Sequence, residues 1–146
     1  MKNITILATG FILSGVVNLS YALPTSIDVK QVDQLFNDRD SNQQFISYMT
    51  HKNRDGVFNQ VINLREKSLD KGNAIGIKVI KKKKSVQNVV QYEVEEYIVN
   101  CSKRTMLMTT GTYKTNGDLL LKSNQINKRV EGEIKDTVSQ ACIKRK

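Results

Sequence analysis

Apolar and polar residues alternate with a period of two along several stretches between Gly56 and Ser123, and that period predicts β-strands. Phe58, Gln60, Ile62 and Leu64 fall on one side of the first stretch. Val57, Asn59, Val61 and Asn63 fall on the other, and the β-branched content suits a strand. Residues 69–73, LDKGN, have the composition of a turn. Ile75, Ile77 and Val79 then resume the alternation, which is expected to stop at the lysine run Lys81–Lys84. That run and the following SVQN are expected to form a solvated hairpin loop.

Val90, Tyr92, Val94 and Ile98 share one side of the next predicted strand, interrupted by Glu96, while Gln91, Glu93 and Glu95 share the other. One side in the core and one in water is the pattern of an antiparallel sheet. The stretch VEEYIVNCSKRTMLMTTGTYKTNG, residues 94–117, is half of a strand pair. Cys101 stands at its corner, Thr105, Leu107 and Thr109 alternate with Met106 and Met108, and Asn116-Gly117 marks a tight turn before the next strand, DLLLKS.

Nearer the ends the period changes. Val29, Val32, Leu35 and Phe36 recur at helical spacing, predicting a short amphipathic helix from Asp28 to Asn37, with Thr25 and Asp28 as a weak capping signal. Either the helix resumes over Gln43–Tyr48 or FISYM is a first strand. The last segment, residues 127–146, allows two readings. Val130, Ile134, Val138 and Ala141 fit a helix weakened by Gly132, or an extended piece leads into a helical turn ending at Cys142. The pattern as a whole is that of an α+β domain: an antiparallel sheet with one or two packed helices.

The N-terminal stretch changes the picture of where this domain works. Lys2 precedes a mostly apolar run from Ile4 to Leu19, and Ser20-Tyr21-Ala22 has the small-x-small form of a cleavage site. Residues 1–22 are expected to be a secretory signal peptide, leaving Leu23–Lys146 as a single domain. Gly10, Ser14, Gly15, Asn18 and Ser20 dilute the run as a membrane span. No Cys stands at the expected cleavage point after a lipobox-like stretch, so no lipid anchor is expected. Cleavage removes one basic residue, leaving 22 basic against 14 acidic side chains, or +8. Export points away from nucleic acid and towards an anionic lipid surface, a sulfated glycan or an acidic protein, unless the charge only solubilises.

The two cysteines, Cys101 and Cys142, both follow the leader, and two thiols in an oxidising compartment most simply pair. A disulfide closing a loop of roughly 40 residues stabilises a fold by about 4 kcal/mol on the chain-entropy model, against a typical total of about 5–15 kcal/mol. Cys101 would then tie the end of a strand to the tail of the chain.

Little else carries chemistry. The one histidine, His51, has no second His and no ligand cluster near it in sequence, and no GxSxG, CxxC or glycine-rich phosphate loop is present. Glu93, Glu95 and Glu96 could in principle do acid–base work, but they read better as a charged face paired with lysines across the sheet. Lys78 with Lys81, Lys82, Lys83 and Lys84 forms the candidate patch for an anionic partner, and Lys144–Lys146 a second basic cluster. No enzyme activity, metal or cofactor is expected.

The order of these signals resembles the surface-adhesin protein E family of small exported Gram-negative proteins. The likeness is carried by Leu69, Lys71-Gly72, Asn100-Cys101, Lys103-Arg104, Tyr113, Gly117 and Cys142, and runs from about Gly56 to the C-terminus. It implies an antiparallel sheet carrying one or two helices, closed by a Cys101–Cys142 bridge, and adhesion to host extracellular-matrix proteins. The expected function is therefore that of an exported, non-enzymatic binding protein for matrix proteins or anionic glycans. The alternative is a periplasmic inhibitor or immunity protein that blocks a toxin or hydrolase.

Overall fold

A computed structural model describes residues 23–69 and 74–143. The expected signal peptide, most of the 69–73 turn and the basic cluster Lys144–Lys146 lie outside the described residues.

The chain forms an α+β domain. Helix α1 (Val29–Asn37) is followed by a short 3-10 turn (Arg39–Ser41) and the strands β1 (Phe45–Lys52), β2 (Phe58–Leu69), β3 (Ala74–Lys84), β4 (Val90–Asn100), β5 (Thr105–Tyr113), β6 (Leu119–Lys122) and β7 (Ile126–Arg129). Helix α2 (Ile134–Cys142) closes the chain. The strands pair antiparallel in the order β1-β2-β3-β4-β5-β6, and β7 pairs with the part of β5 that β6 leaves open. Each connection is a hairpin or short loop, as expected where every pair is antiparallel.

Asp28 caps α1, its carboxylate accepting from the amides of Lys30 (3.0 Å) and Gln31 (3.2 Å). Thr25, the other half of the expected capping signal, instead accepts from the Leu119 amide and joins the sheet margin. Of the two readings for the segment after α1, the strand holds. The C-terminal segment combines both of its readings: an extended β7, then nine helical residues ending at Cys142.

Because side chains alternate across a strand, the sheet has two apolar faces, and each helix covers part of one. On one, Val32 and Phe36 of α1 pack with Leu23 and Ile27 on Ile62, Leu64, Ile80, Tyr92, Val94 and Tyr113. On the other, Val138 and Ala141 of α2 pack on Ile75, Ile77, Val79, Tyr97, Val99 and Met106. The second face of β4 was expected to lie in water. Beyond Glu93 and Glu95 it turns apolar at Tyr97 and Val99, which is what gives α2 a seat.

Cys101 and Cys142 are bonded, with Cα atoms 5.7 Å apart and a sequence separation of 41. The bridge joins the β4–β5 corner to the last residue of α2. The lysine run departs from expectation. It is no loop but the end of β3, and only residues 85–88 turn. Strand pairing persists there because each lysine finds a cross-strand partner: Lys81 stands opposite Glu93, Lys82 opposite Tyr92 and Lys83 opposite Gln91.

Candidate functional site

Helix α2 covers only part of its face. Beyond the helix the sheet is left open, and the space forms a groove of about 1240 Å³. Its floor is built by alternation: Asn59, Val61 and Asn63 from β2, Val79, Lys81 and Lys83 from β3, and Glu95 and Tyr97 from β4. Met106 and Met108 from β5 continue the floor, Met49 and His51 of β1 form the outer lip, and Lys128, Arg129 and residues 131–134 with Thr137 of α2 form the facing wall.

A chain of ion pairs runs through the floor. The Lys81 ammonium lies 2.5 Å from Glu95 Oε1 and 3.2 Å from Glu93 Oε1. Lys83 holds the other Glu93 oxygen at 2.8 Å, and the Tyr97 hydroxyl donates to Glu95 Oε2 at 2.6 Å. The register explains the set: residues two apart on β3 and β4 point the same way, so odd-numbered lysines meet odd-numbered glutamates.

Protonation follows from this packing. Burial, the largest influence on Lys81, pulls its pKa down, but Glu95 and Glu93 together outweigh it and hold the ammonium above its ordinary value. Burial likewise pushes Glu93 up, and Lys83 and Lys81 outweigh it, leaving the carboxyl below its ordinary value. Tyr97 is raised, first by burial and then by the Glu95 charge beside it. Two lysines and two glutamates thus neutralise one another on the floor. The polar amides there are occupied as well: Asn63 Nδ2 donates to Ser47 Oγ at 2.8 Å.

The five lysines singled out in the sequence are not one patch, because alternation sends them to opposite faces. Lys81 and Lys83 enter the groove. On the α1 face, Lys82 bonds Asp33 at 2.6 Å and sits 5.8 Å above the Tyr92 ring. Tyr92 donates to the same carboxylate at 3.2 Å, and burial followed by Asp33 pushes its pKa up to about 12. Lys78, only 5% exposed, lies between Glu66 (3.0 Å) and Glu96 (3.4 Å). Burial raises the Glu96 pKa, the Lys78 charge opposes it, and Glu66 adds to it. Lys84 stands exposed at the end of β3.

His51 and Glu95 line the same groove, but they stand on β1 and β4, three strand spacings or roughly 14 Å apart, too far for a shared proton. Among the described residues, no group of three or more His, Cys, Asp or Glu is placed to hold a metal ion. Among them, too, no helix is long and apolar enough to cross a membrane.

No family model, no curated protein and no solved structure matches this chain.

Sequence reasoning found Lys81, Lys83, Glu93 and Glu95, and the lysine–glutamate pairing across the sheet. It missed Tyr97, Met106, Met108 and Thr137. For Tyr97 the signal was present, since it continues the odd-numbered side of β4. For Thr137 no local signal exists, because the disulfide and the packing of Ile134, Val138 and Ala141 bring α2 over the sheet.

Proposed function

We propose that this chain is an exported, non-catalytic binding domain that seats a segment of a partner protein in the groove beside α2. One observation carries the reading: the groove is preformed, its wall is tied down covalently, and its floor charges are already spent on each other. A polyanion would have to break the Lys81 and Lys83 pairs, whereas a protein segment of mixed polarity need not. The exposed rim, Lys128 and Arg129 beside Glu131 and Glu133, carries both signs and suits such a partner. Met49, Met106 and Met108 add flexible, polarisable contact area. A wall fixed in place lowers the ordering cost of binding.

The likeness to the surface-adhesin protein E family makes a host matrix protein the first candidate partner. The same mixed rim favours a second reading, a periplasmic inhibitor or immunity protein that blocks a toxin or hydrolase. The paired cysteines and the leader-like N-terminus support export in both.

Binding of the processed chain to laminin, vitronectin and heparin, measured against salt, separates these. Saturable binding to a matrix protein that Met108→Arg abolishes, with weak binding to heparin, is expected. Strong heparin binding with no matrix protein bound would overturn the proposal. Binding to none of the three would leave the inhibitor reading, tested by capture of a toxin or hydrolase from the native envelope.

A further inference from the structure

The end of the sheet opposite the disulfide gathers three turns. Residues 53–57 join β1 to β2, 85–89 join β3 to β4, and 114–118 join β5 to β6. The turns touch. A Cβ on Gly56 would stand 2.9 Å from Val86 Cγ2, and Thr115 Oγ1 donates to the Val90 carbonyl at 2.6 Å.

The 85–89 turn carries two valines where turns favour Gly, Pro, Asn, Asp and Ser. Val86 is 70% exposed and Val89 50%, flanking Asn88, whose φ of 63° is left-handed. Phe58, 39% exposed, lies in one cross-strand row with Lys52, Lys84 and Val90. Around these apolar groups stand the exposed cations Lys52, Arg54, Lys84 and Lys114, against the two exposed acids Asp55 and Asp118. Protruding apolar side chains ringed by cations form the arrangement that enters the interface of an anionic bilayer. A protein partner offers no comparable flat array of negative charge over an apolar layer.

We infer that this three-turn tip docks on an anionic lipid surface, with Val86, Val89 and Phe58 dipping among the headgroups and the four cations meeting their phosphates. The tip adjoins the groove at Asn53, but none of Phe58, Val86, Val89 and the four cations lines the groove, so the inference stands or falls independently of the proposed function.

The chain as it is recovered in its processed form is mixed with vesicles of phosphatidylcholine alone and with roughly 30% phosphatidylglycerol, at about 0.1 M salt. It is expected to sediment with the anionic vesicles only. Lys84→Gln should weaken partition about fivefold, and Val86→Asp about tenfold. Ile143→Asp, at the opposite end and 65% exposed, should leave it unchanged. The chain has no tryptophan, so Val86→Trp reports directly: its emission should shift to the blue on anionic vesicles. Equal binding to neutral and anionic vesicles, no binding to either, or equal losses in the tip and Ile143 variants would overturn the inference. So would an unshifted Trp emission, or heparin capture by these lysines without vesicle binding.

Discussion

The Tyr113 hydroxyl donates to the Pro24 carbonyl at 2.9 Å, across 89 residues of sequence. Tyr113 is fully buried, and its ring packs with Leu23, Ile27 and Tyr92. This contact, the Ile27 amide bond to the Gly117 carbonyl (2.8 Å) and the Ser26–Asp118 bridge hold the N-terminal segment against the sheet margin. Gly117 is required there: its φ is 93°, and a Cβ would stand 2.2 Å from the Ile27 carbonyl oxygen. Tyr113→Phe should therefore lower stability in urea unfolding by about 1–2 kcal/mol, the usual cost of leaving a buried acceptor unpaired. An unchanged midpoint would mean that water replaces the hydroxyl.

The groove floor makes a second prediction. Lys81→Met leaves Glu95 with Tyr97 alone, while Glu93 keeps Lys83. The pairs are partly exposed, so the loss should be about 1–2 kcal/mol, below that of a fully buried pair. A double-mutant cycle with Glu95→Gln should show most of that loss as coupling, and additive effects would sink the network.

Two carboxyls give stability opposite slopes against pH. Glu93 is held below its ordinary value of 4.5, so its contribution is present above that pH and lost as pH falls through the folded value. Glu96 is raised above 4.5, so its contribution is present at lower pH and lost as pH rises through the folded value. Thermal unfolding followed from about pH 3 to about pH 8 should show Glu96→Gln removing a decline on the neutral side. Glu93→Gln should remove one on the acid side. The reverse pattern would reject both assignments.

Replacing both cysteines, Cys101→Ser with Cys142→Ser, should cost about 4 kcal/mol in unfolding free energy. Hydrogen exchange should rise in α2 before it rises in β2–β4, because α2 is held on its face by few side chains besides the bridge. Uniform loss across the sheet would show instead that α2 is integral to one cooperative unit.

Strand periods made most of the sheet legible, and Val29, Val32, Leu35 and Phe36 made α1 legible. What stayed hidden has one physical cause: local pattern does not state what covers a face. Lys81–Lys84 looked like a loop because four charges in a row resemble solvated chain. Their partners, Glu93, Glu95 and Asp33, lie 10 to 49 residues away in sequence. Val99 and Tyr97 suggested no helix overhead, since the cover arrives from the far end of the chain. The Cys101–Cys142 bond was legible from the leader-like N-terminal pattern and the cysteine count alone.

That bond also decides how the domain would bear a load. Tension applied between the two termini passes through the N-terminal segment and α1 into β1 and leaves through Cys142, which hands it directly to the β4–β5 corner. The strands β5, β6 and β7 and helix α2 lie inside the covalent ring and are never stretched. About 140 Å of contour, 41 residues at full extension, is withheld from any pulling event. Under force, β1–β4 would unravel while the groove wall stayed tied to the corner.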